Sequence, residues 1–442
     1  MTALIHAADP GERERSAQVE RAESDLRSGH MFDPWLVCRH PAVIALGDNL
    51  LQGYDRLTPP RKRAMKQRDR ENLEATLRTI LANLAYAVAT NAVPLSVGVK
   101  LRAEKLTRYD RRGLACLPIA LEVLASAGVI TLRKSTERGT ASAIAPGPDL
   151  MAALGRLPFE PDDFGEAPGR EVLCLGRTER DYVERTTTRK LIDYRETEET
   201  RRLRAEVETL NRFLASADIR MVPDGGPVVV TTRRMLHRSF TVPPGAEDAE
   251  RFDRGGRLFG GFWQVLPKAR RHALRIDGEP VADLDYSSMF LRLAYLEAGE
   301  MPPEGDLYAT VPGLYETRWR QGVKKLVSAM LFRTTPLTRI PADLKGHLPE
   351  GMTGAQARTA IFSAYPALHG VFETGVGFRL MHTESRVLLA ALRRLIALGT
   401  PALPMHDGLM VAQSKAEDTR AAMCSAAEEV VGFTLPISLK SL

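Results

Sequence analysis

Apolar side chains recur at helical spacing in residues 72–89, NLEATLRTILANLAYAVA, where Leu73, Leu77, Ile80, Leu81 and Leu84 fall on one face. A second helix is expected over about 101–109. A third, over 117–128, has Pro118 in its first turn and Gly128 as its stop. VITLRKSTERGTASAIAP, 129–146, is two β-rich pieces about STERG and predicts a hairpin. A long helix over 195–216 places Leu203, Val207, Leu210 and Leu214 on one side. MVPDGGPVVVTTRRMLHRSF, 221–240, is a turn followed by strand-like residues, and PMHDGLMVAQS, 404–414, is a strand-turn-strand pattern.

Helix, helix, helix, hairpin is the order of a winged helix-turn-helix. There the third helix enters a groove and the hairpin lies along the nucleic-acid backbone. Arg133, Lys134 and Arg138 on the wing would then face phosphates. Residues 155–170, LPFEPDDFGEAPGR with its flanks, are rich in Pro, Gly and acid and are expected to be a linker.

Composition narrows the classes. The chain has 442 residues, too many for one ordinary core, and a net charge of +6. The charge is concentrated in PPRKRAMKQRDR, 59–70, which suits a polyanionic partner. No apolar run is long enough to span a membrane, and the polar first residues lack the core of a secretory signal. Cys38, Cys116, Cys174 and Cys424 form no CxxC pair; they suit a reducing cytoplasm and argue against a zinc site.

One strand breaks the pattern. VADLDY, 281–286, carries Asp283 and Asp285 inside an apolar run, where an unpaired charge is costly. The strand needs a partner for its acid, and Asp407, at the tip of the predicted 404–414 hairpin, offers one. Two aspartates facing a common point can hold paired divalent cations for in-line phosphoryl transfer. Mg²⁺ takes few carboxylates and lets substrate phosphates fill its shell. Between these acids, RWRQGVKKLVSAMLFRTT, 318–335, repeats Arg320, Lys324, Ser328 and Phe332 every fourth residue, one helix face. Val323, Val327, Met330 and Leu331 lie elsewhere and can pack. Cations at one end of the stripe suit a triphosphate, and the ring at the other suits a base or sugar.

DLDYSSMFLRL, RQGVKKLVSAMLF and MHDGLMV together resemble, in order and character, the three palm and fingers motifs of family A DNA polymerases, whose plan single-subunit phage-type RNA polymerases share. Asp285, Tyr286, Ser287, Leu291 and Arg292 fit the first motif; Arg320 and Lys324 fit the second; His406 and Asp407 fit the third. Ser328 stands where the second motif has an aromatic, Phe332 with Arg333 replaces its Tyr-Gly, and Gly408 replaces the glutamate or serine of the third. DRGGRLFGGFWQVLPK, 253–268, is similar to the family's upstream segment that contacts the primer-template minor groove, with Arg257, Gln264 and Pro267 in place. GDLYA, 305–309, falls at the start of the fingers.

The patterning and the resemblance, which covers about 250–442, together predict an α+β fold: an N-terminal tail and basic linker (1–70), a winged-helix-like nucleic-acid-binding domain (71–155), a linker (156–170), a thumb-like region (171–249), and a palm with reduced fingers (250–442). The resemblance implies template-directed DNA synthesis with two Mg²⁺ ions, on a primer-template with nucleoside triphosphates; replication of a mobile element in the cytoplasm, with that element's replication proteins, is the expected setting. Asp285, Asp407, Lys324 and Arg320 would be catalytic, and Asp285, Asp407 and Tyr286 would hold metal. Tyr286, Phe290, Ser328, Phe332 and Tyr308 would meet the nucleotide; Arg257, Gln264, His406 and Glu384 would meet nucleic acid. Phe290 stands where the family's DNA enzymes have a glutamate that crowds the sugar's 2′ carbon and its RNA enzymes a glycine. Two alternatives stand beside this: an RNA-synthesising primase or transcriptase of the same fold, and an inactive replication initiator that only binds DNA.

Overall fold

The structure, a computed structural model, describes residues 31–58, 63–97, 106–135, 141–181, 186–242, 251–341, 344 and 346–440. It divides into two compact units, Met1–Arg170 with Gly225–Arg233, and Glu171–Asp224 with Arg234–Leu442. Among the described residues no helix is long and apolar enough to cross a membrane.

In the first unit, strand β1 (Leu36–Cys38) leads into helix α1 (Pro41–Gly53) and helix α2 (Gln67–Ala89). The five apolar positions expected on one face of α2 are all buried. The helix begins at Gln67, because Asp69 in its first turn complements the exposed N–H groups. After strand β2 (Leu95–Val97) comes helix α3 (Leu117–Ser126), with Pro118 in its first turn and Gly128 at φ 71 just beyond its end. Strands β3 (Ile130–Arg133) and β4 (Ser142–Pro146) form the expected hairpin, and β2 joins it in the order β2-β4-β3. Helix α4 (Pro148–Leu154) and strand β5 (Phe164–Glu166), antiparallel to β1, complete the unit.

Four expectations change here. The helix over 101–109 is not formed at 106–109, and residues 101–105 lie outside the described ones. The Asp110 carboxylate accepts hydrogen bonds from the Thr107 backbone N–H and hydroxyl, a local alternative to helix. Residues 1–70 are not merely a tail, since Leu36, Val43 and Tyr54 are buried in this core. Nor is 156–170 a loose linker: Phe164 is fully buried, and the Pro and Gly around it supply turns. Finally, 228–233 is not a strand. Val230 enters the first core, and Thr232 donates its hydroxyl to the Pro161 and Phe164 carbonyls, bonds that replace a ladder.

The second unit opens with strands β6 (Leu173–Asp181) and β7 (Thr186–Leu191), then helix α5 (Glu198–Ser216). Thr197 caps α5 by accepting from the Thr200 N–H, and Leu203, Val207, Leu210 and Leu214 are buried as their spacing requires. Strand β8 (Ile219–Met221) is followed by β9 (His237–Val242) and β10 (Gly255–Phe259), which complete a sheet in the order β10-β9-β6-β7. Strands β11 (Leu274–Ile276) and β12 (Glu279–Tyr286) then lead to helices α6 (Met289–Glu297), α7 (Arg320–Phe332), α8 (Gly354–Ala364) and α9 (Gly377–Ala397). Strands β13 (Ala402–Met405) and β14 (Gly408–Ala412), helix α10 (Ala416–Val431) and strand β15 (Ile437–Lys440) close the chain. A second sheet runs β13-β14-β12-β11-β8, with β15 also paired to β12. The fold therefore mixes helices with mainly antiparallel sheets, and β12, the strand with the acids, is held on both edges.

Candidate active site

The two carboxylates meet because β14 lies antiparallel to β12 with Asp285 opposite Gly408. Strands β13 and β14 are joined by the two-residue turn His406–Asp407, with His406 at φ 56. The Asp407 carbonyl accepts the Tyr286 N–H at 3.2 Å, pinning the turn to the end of β12. A Cβ on Gly408 would fall 2.8 Å from Asp285 Oδ1 and 2.7 Å from the Leu284 carbonyl oxygen, so glycine is what lets the strands close. Burial, and then the charge of Asp407, push Asp285 up to about 6. Lys440 works against that shift: its Nζ is 2.5 Å from Asp285 Oδ2.

Asp285 and Asp407 open into a cleft of about 370 Å³. Its other walls include Arg257, Phe290, Tyr308, Arg320, Lys324, Ser328, Phe332 and His406, residues drawn from segments far apart in the chain. On α7, Arg320 and Lys324 are exposed while Val323, Val327, Met330 and Leu331 are buried, so the stripe does face outward into the cleft. Arg320 makes a two-point contact with Asp306, at 2.5 and 3.1 Å, and lies 5.5 Å over the Tyr308 ring. That pairing holds Asp306 below the usual carboxylate range and fixes the guanidinium. Lys324 has no carboxylate partner among the described residues and is the stripe's available cation.

The aromatic end of the stripe is built by contact. Phe332 and Phe290 lie 5.8 Å apart, and Phe378 meets Phe332 edge-on at 5.0 Å. Gly377 opens the space for Phe332, because a Cβ there would fall 2.7 Å from its ring. Arg257 lies 5.3 Å over the Phe290 ring.

Several assigned residues take other roles. Tyr286 points to the opposite face of β12 and donates its hydroxyl to the Met423 carbonyl at 2.7 Å, so only its main chain can reach a metal or nucleotide. Glu384 is fully buried and accepts two hydrogen bonds from Arg257, at 2.9 and 2.7 Å. It is a counter-ion to Arg257 and has no surface to offer a strand; burial pushes it up to about 7, with Arg257 opposing. Gln264 is turned inward: its amide donates to the Leu258 and Pro404 carbonyls and accepts from the Gly260 N–H. Arg292 is buried against the carbonyls of Ser287, Pro303 and Gly305 and fixes the loop before Asp306. In the first unit, Arg133 is exposed at the end of β3, and Lys134 is paired with Glu122 at 2.6 Å, an exposed contact that costs little to exchange. Arg138 lies outside the described residues.

Lys440 and Ser438 were not foreseen from the sequence. Both line the cleft only because β15 pairs with β12, and nothing local in ISLK marks them. Among the described residues no three His, Cys, Asp or Glu side chains converge as a ready cation cage. The donor set is two carboxylates beside an open cleft, which suits Mg²⁺ whose remaining positions go to substrate oxygens and water.

No family model and no curated protein matches the sequence. Among solved structures, the chain is similar to the POL domain of Pol1 from M. smegmatis, in complex with DNA primer-template and dNTP. The likeness covers 94% of this chain and 69% of that one at 12% identity, with a TM-score of 0.32, and at that level it carries no argument about function.

Proposed function

We propose that this chain is a template-directed DNA polymerase that adds deoxynucleotides by two-metal nucleotidyl transfer. The supporting observation is that one cleft joins Asp285 and Asp407 to the Lys324 stripe and to the Phe290–Phe332 wall. In the reaction the 3′-hydroxyl oxygen of the growing strand bonds to the α-phosphorus of the triphosphate. The bond to the pyrophosphate oxygen breaks, the hydroxyl proton passes to solvent, and pyrophosphate leaves. Asp285 and Asp407 would hold Mg²⁺, which when bound would supply Lewis-acid activation of the hydroxyl and neutralise the leaving charge.

The chain's own residues do the rest. Lys324 meets the triphosphate, and Arg320, fixed by Asp306, adds positive potential beside it. Phe290 and Phe332 form an apolar floor for the sugar and exclude a 2′-hydroxyl, which would lose its hydration without gaining a partner. Arg257 and His406, which line the same cleft, face the growing duplex. The β3–β4 hairpin of the first unit, with Arg133 and Lys134, contributes a winged-helix-like contact to nucleic acid.

Primer extension tests the reading. Wild-type protein on a primed DNA template should release pyrophosphate and lengthen the primer only with Mg²⁺ present. Asp285→Ala and Asp407→Ala should each abolish extension while binding to the same template, followed by fluorescence anisotropy, persists. Substantial extension by either purified variant would overturn the assignment.

A further inference from the structure

Lys440 is in the wrong place for an ordinary cross-strand pair. The β12–β15 register sets it directly opposite Asp283, yet its ammonium reaches along the strand to Asp285 Oδ2. Asp283 and Asp285 are two residues apart on β12 and project from the same face. The ammonium of Lys440 therefore has two carboxylates within its range, one in the cleft and one a pleat behind it. Asp283 is buried and its carboxylate is only loosely engaged: Arg271 Nη1 is 4.0 Å away, and Arg271 Nε has no hydrogen-bond partner among the described residues. Lys440 itself is nearly half exposed, so its four-carbon stem is free to turn.

We propose that Lys440 is an internal counter-ion that occupies Asp285 when no divalent cation is bound and moves to Asp283 when one enters. The inference rests on the reading of Asp285 and Asp407 as cation ligands. Without Lys440, Asp285 at the end of β12 would face Asp407 across the turn with no cation paired directly to it. With it, the pair is held together in the empty state, and the entering cation has to exchange with an ammonium. Asp283 then accepts the displaced charge, which gives a purpose to the second acid of β12. The exchange lowers affinity for the bare cation, so that the ion is taken up with the triphosphate whose oxygens complete its shell.

Mn²⁺ binding to the full chain, without nucleotide or DNA, tests this by calorimetry and by the loss of the free-ion paramagnetic signal. Lys440→Gln should bind Mn²⁺ about fivefold more tightly than wild type, the upper size of one partly exposed ion pair removed. Lys440→Arg, which keeps the charge, should bind as wild type does. Asp283→Asn should weaken binding in the wild-type background and have little effect in the Lys440→Gln background, since the parking place matters only while there is an ammonium to park. Equal or weaker Mn²⁺ binding by Lys440→Gln would overturn the proposal, and an Asp283→Asn effect of the same size in both backgrounds would overturn the transfer to Asp283. Asp285→Asn separates the two layers of the reading. If it binds Mn²⁺ as wild type does, the cation site itself is misassigned and this inference goes with it; if it loses binding while Lys440→Gln changes nothing, only the counter-ion role fails.

Discussion

Gly408 stands opposite Asp285 at a separation that admits no side chain: a Cβ there would meet Asp285 Oδ1 at 2.8 Å. Polymerases of the family that the sequence resembles have a glutamate or serine at this place. In this chain such a residue would push β14 off β12 and carry Asp407 away from Asp285. Gly408→Ala should cost about 1–3 kcal/mol of stability and most of the nucleotide incorporation. Gly408→Glu should be no more active than Gly408→Ala. Urea denaturation and primer extension on the two variants check this; a Gly408→Glu enzyme faster than wild type would show that the strands have room.

Lys324 is the exposed cation of the α7 stripe that has no carboxylate partner among the described residues, so its loss should fall on the nucleotide. Lys324→Ala should lower kcat/KM for the incoming triphosphate by about 100-fold, as for removal of one charged donor at a transferring phosphate. Template affinity should change little. Titrating nucleotide and template separately distinguishes this from a helix that faces the duplex, for which both would weaken together.

The sugar preference is expected to reside in Phe290, which lines the cleft between Arg257 and Phe332. Phe290→Ala should admit ribonucleotides while keeping use of deoxynucleotides. The ratio of the two incorporation rates, measured on one primed template, is the readout. A wild-type enzyme that takes both sugars equally would remove Phe290 as the gate and favour the RNA-synthesising alternative.

Asp285 also makes a prediction about stability. Its folded pKa, about 6, is above its ordinary 3.8, so the fold favours the protonated form. Below pH 3.8 the group is protonated in both states and contributes nothing. Between 3.8 and 6 the unfolded chain has lost a proton that the folded one keeps, so stability falls as pH rises; above 6 the penalty is complete. Asp285→Asn does not titrate and should be more stable than wild type by about 3 kcal/mol at pH 8, an advantage that shrinks below pH 6 and disappears near pH 4. Urea midpoints across that range measure it.

Much of the cleft was readable in the chain because its signals are local. An acid in an apolar strand, a stripe at every fourth residue and an aspartate in a hairpin turn each follow from spacing alone, and all three converge as expected. What sequence could not supply is pairing across long separations. Lys440 reaches Asp285 through a strand register, and Glu384 meets Arg257 from a different element altogether. A glutamate on a helix gives no sign that it is buried beneath an arginine. Gln264 shows a related point: its type suits base recognition, and only the fold shows that its amide bonds three backbone groups, of Leu258, Gly260 and Pro404. Residues 156–170 looked like a linker because turn-forming residues outnumber the one aromatic, Phe164, that anchors them.

Helix α9 supports two walls of the cleft at once. Gly377 makes room for Phe332, and Glu384, two turns further along the same face, holds the guanidinium that lies over Phe290. A shift or rotation of this one helix is therefore transmitted together to the aromatic floor and to the cation above it. On the proposed function, discrimination between sugars and grip on the charged strand would share this one support, so substitutions in α9 that altered one would alter the other in the same step.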